Sequence, residues 1–147
     1  MADWTKTPPA LFDVVTGFFP EVKPKHNWTT NPRPILVTGV FRNRATEEIF
    51  IRVAYGTSQI HKIPAPPNLC IGNLSSLDAL NLARPTAFVI APGSKMVILP
   101  WSKDHFRPWR GFPSPSIGNL PQDMAAYVKD VISHLEDLPM PGKTSGQ

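Results

Sequence analysis

The sequence predicts a mainly β (α+β) domain, a small and strongly bent antiparallel sheet or barrel followed by one helix. Three observations support this fold class. Prolines account for 18 of the 147 residues, which disfavours long helices because proline lacks a backbone N–H and clashes inside a helix. Several short segments are rich in β-branched and aromatic residues. Near the C-terminus, one longer segment has apolar residues spaced by three and four.

The predicted strands are short segments bounded by proline, glycine or polar turns. They cover residues 13–19, 34–41, 48–55, 86–90 and 95–99, and a further short strand is expected within 60–67. A polar stretch at 43–46 predicts a turn between the second and third strands. Ala91-Pro92-Gly93-Ser94 predicts a tight hairpin between the last two, because proline presets φ and glycine tolerates positive φ.

Two helical segments are expected. A single helical turn is predicted at 77–80, and a long helix from about Pro121 to Leu138. The apolar stripe of the long helix would pack on the sheet. Asn119 and Gln122 fit a capping box at its start, and a proline follows its end.

These elements predict one domain with two tails. The expected boundaries are an N-terminal tail at 1–10, a domain at 11–138 and a flexible C-terminal tail at 139–147. No apolar run approaches the roughly 20 residues that span a bilayer, and the N-terminus lacks the basic and then apolar order of a secretory signal. The chain has a single cysteine and no Cys/His cluster. We therefore expect no internal disulfide, no metal site and no cofactor. A cytoplasmic protein without membrane association is therefore expected.

The charge favours an anionic partner. The formal net charge is +4 and the isoelectric point is near 9.5, which suits RNA or an acidic protein. Basic residues gather in three groups, at 23–33, 42–44 and 103–110, with tryptophans and a phenylalanine interleaved. Proteins bind single-stranded nucleic acids by stacking bases on aromatic rings that lie beside cations. The alternative is a basic surface with a few tryptophans in the core.

Arg33 is the cation with the most constrained position. It stands between Pro32 and Pro34, which exclude helix and present its guanidinium from the extended start of an apolar strand. Thr57 ends the following strand, so a cation and a hydroxyl are expected at two strand ends, an arrangement suited to phosphodiester chemistry. The alternatives are a surface arginine in a salt bridge and a threonine whose hydroxyl caps a turn.

Three segments in order resemble the MazF/PemK family of toxin endoribonucleases of type II toxin–antitoxin systems. They are 12–20, which contains Asp13-Val14-Val15, then Arg33-Pro34-Ile35-Leu36-Val37, and finally Thr57-Ser58-Gln59. With the later strands and terminal helix, the resemblance covers about residues 11–138. It implies an SH3-like barrel with a C-terminal helix.

The resemblance also implies an activity and partners. The activity is metal-independent cleavage of single-stranded RNA, in which the ribose 2′-hydroxyl attacks the adjacent phosphorus. The protein would be a growth-inhibiting toxin, inhibited by a cognate antitoxin protein. The family further implies a homodimer whose RNA groove lies across two subunits.

Site residues follow from the same resemblance. Arg33 would clamp the phosphate, and Thr57 and Ser58 would hydrogen-bond its oxygens. His26, whose ordinary pKa near 6.5 suits proton transfer, is the candidate third catalytic residue, with His61 and His105 as competitors. The expected substrate-binding residues are Ser58, Gln59, Lys25, Trp28 and His61.

Two segments depart from the family pattern. Relatives carry a polar residue near the end of the strand that here reads Phe88-Val89-Ile90-Ala91, and this chain has only apolar ones. The segment 100–115 is an insertion that would bind RNA, cover the groove or pack on the barrel. The alternative function is therefore a catalytically degenerate barrel that binds protein or nucleic acid.

Overall fold

The computed structural model describes residues 3–19, 32–60, 67–91, 95–135 and 138–140. Its strands are β1 (Asp13–Gly17), β2 (Arg33–Arg42), β3 (Ile49–Thr57), β4 (Leu69–Ile71), β5 (Thr86–Phe88), β6 (Met96–Pro100) and β7 (Ser116–Asn119). Its helices are a 3-10 turn (Trp4–Lys6), α1 (Leu74–Ala79) and α2 (Gln122–Ser133). The strands form one curled antiparallel half-barrel in the order β4-β5-β3-β2-β1-β7, with β6 also paired to β3. The predicted mainly β fold with a bent sheet and a C-terminal helix is confirmed.

Two irregularities accompany the curl of the sheet. The pairing of β1 with β7 shifts after Val14, and the pairing of β2 with β3 shifts at Thr38. An extra residue in one strand increases the local twist. Successive side chains of a strand point to opposite faces, and the two faces of the sheet bury separate apolar clusters. Leu77 of α1 and Val128 of α2 belong to one cluster, which places both helices on the same face.

The turn predicted between β2 and β3 is confirmed. The backbone N–H of Asn43 donates to the carbonyl of Glu48 at 2.8 Å. The Asn43 side chain accepts from the backbone N–H of Ala45 at 2.9 Å and of Thr46 at 3.2 Å. An asparagine that bonds the backbone two residues on is a common turn device, so this part of the hairpin was readable from local sequence.

The hairpin predicted between residues 86–90 and 95–99 is wrong. β5 pairs with the end of β3 through Gly56 and Phe88, and β6 pairs with the preceding part of β3 through Ala54 and Met96. Both are antiparallel to β3, so they run in the same direction, whereas hairpin strands run in opposite directions. The nine-residue β3 is long enough to pair with both segments along one edge, and this non-local pairing overrides the local turn preference. Residues 92–94 lie outside the described part of the chain, as do residues 61–66 of the short strand predicted at 60–67.

Helix α2 is shorter than predicted. It begins after Pro121 without a side-chain cap. The predicted capping box is wrong because Asn119 lies in β7 and donates its side-chain amide to Asp13 Oδ1 at 2.9 Å. The helix ends at Ser133, whose hydroxyl donates to the carbonyl of Asp130 at 2.6 Å. Side chains that bond helix carbonyls in this way compete with helix propagation.

Both predicted tails contribute residues that contact the domain. Trp4 packs edge-on against Trp101 with ring centroids 4.9 Å apart. The Trp101 indole N–H lies within 3.1 Å of the Trp4 carbonyl and 3.0 Å of the Thr7 carbonyl. At the other end, the buried Arg52 donates to the carbonyl of Pro139 at 3.4 Å. Within the described ranges, no helix has the length and apolar character needed to cross a membrane.

Candidate functional site

A groove of about 310 Å³ lies at one end of the half-barrel. Here β1 and β3 end and β2 and β5 begin. The strand residues that line it include Thr16, Arg33, Pro34, Gly56, Thr57 and Thr86. The antiparallel order of the strands thus brings Arg33 and Thr57, the two residues singled out from the sequence, to one site.

The β2–β3 register explains this convergence. Ile35 faces Tyr55 in the pair that ends this ladder. Arg33 and Thr57 each lie two residues beyond that pair, Arg33 at the start of β2 and Thr57 at the end of β3. The pairing therefore brings both residues to the same end of the sheet, where both line the groove.

The backbone of Arg33 is fixed, and its guanidinium is exposed. Arg33 pairs with Gly17 of β1, and its Nη1 lies 3.4 Å from the Tyr55 hydroxyl. Lys95 Nζ stands 4.4 Å from the centroid of the same tyrosine ring. The ion pairs found between described residues are Arg42–Glu47 and His134–Asp130, and neither includes Arg33.

Thr57 forms a local turn at the groove. Its hydroxyl oxygen accepts the backbone N–H of Gln59 at 3.1 Å, which is the turn-capping role named as the alternative. The bond uses a lone pair of the oxygen and leaves the hydroxyl proton for a ligand. Ser58 also lines the groove, whereas Gln59 is exposed and supplies its backbone to the turn.

Sequence reasoning missed Arg84, a second cation of the groove. It precedes Pro85 and the start of β5, and its carbonyl accepts the Thr86 hydroxyl at 2.9 Å. Arg84-Pro85 precedes β5, whereas Arg33-Pro34 are the first two residues of β2. The shared Arg-Pro dipeptide does not single out Arg84, because Arg107-Pro108 repeats it and Arg107 does not line the groove.

Two of the four apolar residues of 88–91 are core residues. Phe88 and Ile90 are completely buried, and both belong to the cluster beneath α1 and α2. The polar group that family members carry near this point has no counterpart at these two positions. Arg84, four residues before Phe88, is the charged residue of this region that lines the groove.

The segment 100–115 both packs on the barrel and borders the groove. Trp101 is 5% exposed and belongs to the core, whereas Trp109 is 40% exposed and lines the groove. The buried Thr16 of β1 connects this strand to the segment 100–115, because its hydroxyl donates to the carbonyl of Arg107 at 2.5 Å. Of the three roles considered for this segment, packing is observed directly.

Four predicted site residues cannot be placed. Lys25, His26, Trp28 and His61 lie outside the described residues. His105, the competing candidate for proton transfer, is half-buried with its Nδ1 2.9 Å from the Ser102 hydroxyl. It is not among the described residues that line the groove.

Burial gives His105 a pH-dependent effect on stability. Desolvation lowers its pKa from the ordinary 6.5, opposed in part by the nearby Asp104. Below pH 6.5 the unfolded chain therefore binds the proton more readily than the folded one, and the free energy of unfolding falls as pH falls. Urea unfolding at about pH 7.5 and 5.5 should show this loss, and His105→Gln should reduce it. An unchanged pH dependence in the variant would contradict the assignment.

No protein-family model matches the chain, and no curated protein matches it. Among the described residues, no group of three or more His, Cys, Asp or Glu side chains is arranged to hold a metal ion. The charged residues among those that line the described part of the groove are Arg33 and Arg84, both positive. The groove is therefore chemically suited to an anion.

Proposed function

We propose that this protein is an endoribonuclease that cleaves single-stranded RNA without a metal ion and binds the scissile phosphate in the groove. The observation that supports this most directly is the convergence of Arg33, Arg84, Thr57 and Ser58 on one groove whose described lining has no carboxylate. Arginines bind phosphate oxygens through paired N–H donors. The resemblance of the sequence to the MazF/PemK family supports RNA as the ligand.

The reaction needs no external nucleophile. The 2′-oxygen attacks the adjacent phosphorus, the bond from phosphorus to the 5′-oxygen breaks, and the products are a 2′,3′-cyclic phosphate and a 5′-hydroxyl. Arg33 stabilises the charge that grows on the non-bridging oxygens, and the Thr57 hydroxyl donates to one of them. A proton leaves the 2′-hydroxyl and a proton is gained by the 5′-oxygen, and we propose His26 for this transfer.

A second function has an observation in its favour. The described lining of the groove contains no Asp, Glu, His or Lys side chain, so it offers phosphate-binding groups without a conventional proton acceptor. This composition favours the alternative of a noncatalytic barrel that binds single-stranded nucleic acid. Salt-sensitive RNA binding without cleavage would identify that alternative.

The resemblance also supports proposals about partners and location. We propose a homodimer in the cytoplasm with a cognate antitoxin that occupies the groove. A segment with acidic side chains would complement Arg33 and Arg84 as an RNA phosphate does. Size-exclusion chromatography with light scattering tests the dimer, and an acidic peptide that competes with RNA tests the mode of inhibition.

The first test is cleavage of a single-stranded RNA in EDTA. The wild type should produce a cyclic phosphate end, and RNA with a 2′-O-methyl group at each nucleotide should bind without being cleaved, because its nucleophile is blocked. Thr57→Ala should lower kcat/KM at least about tenfold through loss of one donor to the transition state. Thr46→Ala makes the same change in the exposed β2–β3 turn and should leave kcat/KM unchanged. Equal activity of the two variants would remove Thr57 from the site.

A further inference from the structure

We infer that Trp109, with Arg110 against its ring, is a stacking platform for an unpaired base of the strand whose phosphates bind Arg33 and Arg84. The inference rests on the proposed function only in taking single-stranded nucleic acid as the ligand. It adds a contact to the base where the groove otherwise offers contacts to phosphate. It assigns that contact to the segment 100–115, which the resemblance does not account for.

Exposure separates Trp109 from the other described tryptophans. Trp101 is nearly completely buried with its indole N–H bonded to backbone carbonyls, and Trp4 packs against it. Trp109 is 40% exposed and borders the same groove as the two arginines. A large aromatic surface left open to solvent beside cations is the arrangement that stacks bases in single-strand binding proteins.

The backbone holds Trp109 in place. The N–H of Phe112 donates to the carbonyl of Trp109 at 2.9 Å, which closes a four-residue turn. Gly111, the third residue of that turn, has φ +77°, a conformation that glycine adopts without strain. Phe112 then packs against the core. The ring is thus presented from an anchored turn, which limits the conformational entropy lost when a base binds.

Arg110 lies over the Trp109 ring, which stays 40% exposed. Its Cζ lies 5.4 Å from the Trp109 centroid, within the range of a cation–π contact. Tyr55, the other aromatic residue near Arg33, is already engaged by Lys95 and Arg33 and by the edge of Phe19. Base stacking is therefore assigned to Trp109, and Tyr55 is assigned to holding cations.

This arrangement determines which nucleic acid the groove accepts. A base inside a duplex is already stacked and paired, so it cannot lie on Trp109 without being unstacked. Any of the four bases can stack, since each has a π face. The platform therefore selects single strands over duplexes and supplies affinity without strong sequence preference.

The test is a binding cycle on RNA that cannot be cleaved. A short 2′-O-methyl oligonucleotide is compared with versions that each lack one base, using wild type and Trp109→Ala. Trp109→Ala should weaken binding of the intact oligonucleotide about tenfold or more. At one position, removal of the base should weaken the wild type similarly and have little further effect on the variant, which is the signature of a direct contact.

Control variants separate stacking from folding. Trp109→Phe keeps an aromatic face and should retain most of the affinity, and Leu74→Ala, which shortens an exposed apolar side chain outside the groove lining, should change nothing. Unchanged affinity in Trp109→Ala, or an equal loss on every abasic oligonucleotide, would overturn the inference. Because the readout is binding, a wild type that stacks bases through Trp109 but cleaves no RNA would refute the ribonuclease and leave the platform established.

Discussion

Replacing Arg33 with alanine is expected to lower kcat/KM for RNA cleavage by about 10²–10³-fold. Arg33 stands at the start of β2 and lines a groove whose described lining contains no carboxylate. Removing one preorganised group that stabilises transition-state charge has effects of this size in other enzymes. Arg33→Lys should recover only part of the rate, since an ammonium lacks the paired donors of a guanidinium. The measurement is single-turnover cleavage in EDTA.

The chain offers a matched control for this prediction. Arg44 is an exposed arginine in the turn beyond β2, so Arg44→Ala removes the same charge at the opposite end of the strand from Arg33. It should leave kcat/KM within about twofold, since exposed charges separated by more than the Debye length of roughly 8 Å are largely screened at physiological salt. A comparable loss in both variants would mean that net charge, rather than a site at Arg33, governs activity.

Replacing Gly56 with alanine is expected to lower the free energy of unfolding by about 3 kcal/mol, the upper end of the range for overpacked sites. An added Cβ would lie 2.3 Å from the carbonyl oxygen of Pro34 and 2.9 Å from the ring of Phe88. Relief of the first contact requires β2 and β3 to separate where they border the groove. Chemical denaturation measures the loss, and weaker RNA binding should accompany it.

Gly72 supplies the comparison for Gly56. A Cβ there meets no atom within 4 Å, so Gly72→Ala makes the same chemical change without a clash. Its stability should be equal to the wild type or slightly higher, because alanine restricts the unfolded chain more than glycine does. If Gly56→Ala were as stable as Gly72→Ala, the close approach of β2 and β3 would not be present in solution.

The positions of Arg33 and Thr57 at two strand ends could be predicted from the sequence because their determinants are local. Proline on each side of Arg33 forces extended backbone whatever the surroundings, and Thr57 ends a run of β-branched and aromatic residues. Arg84 and Trp109 were not predicted to be site residues. Their place in the groove depends on where β5 and the segment 100–115 pack, and the spacing of apolar residues in the sequence does not predict that packing.

The errors arose where distant residues compete with local preference. Ala91-Pro92-Gly93-Ser94 has the composition of a hairpin turn, yet β5 and β6 both pair along β3. Asn119 has the position of a helix cap, yet its amide bonds Asp13 in a neighbouring strand. In each case a hydrogen bond to a residue far away in sequence replaced the local one that the pattern predicted.

The sequence by itself determined the mainly β fold, the C-terminal helix, and two strand ends that carry Arg33 and Thr57, because proline restriction, β-branched runs and helical periodicity act over a few residues. The tertiary structure alone decided that these ends meet Arg84 and Trp109 in one groove. It also decided that Trp101 is buried while Trp109, eight residues later, is exposed. The physical reason is that pairing and burial are set by contacts between segments, which short-range sequence patterns do not encode.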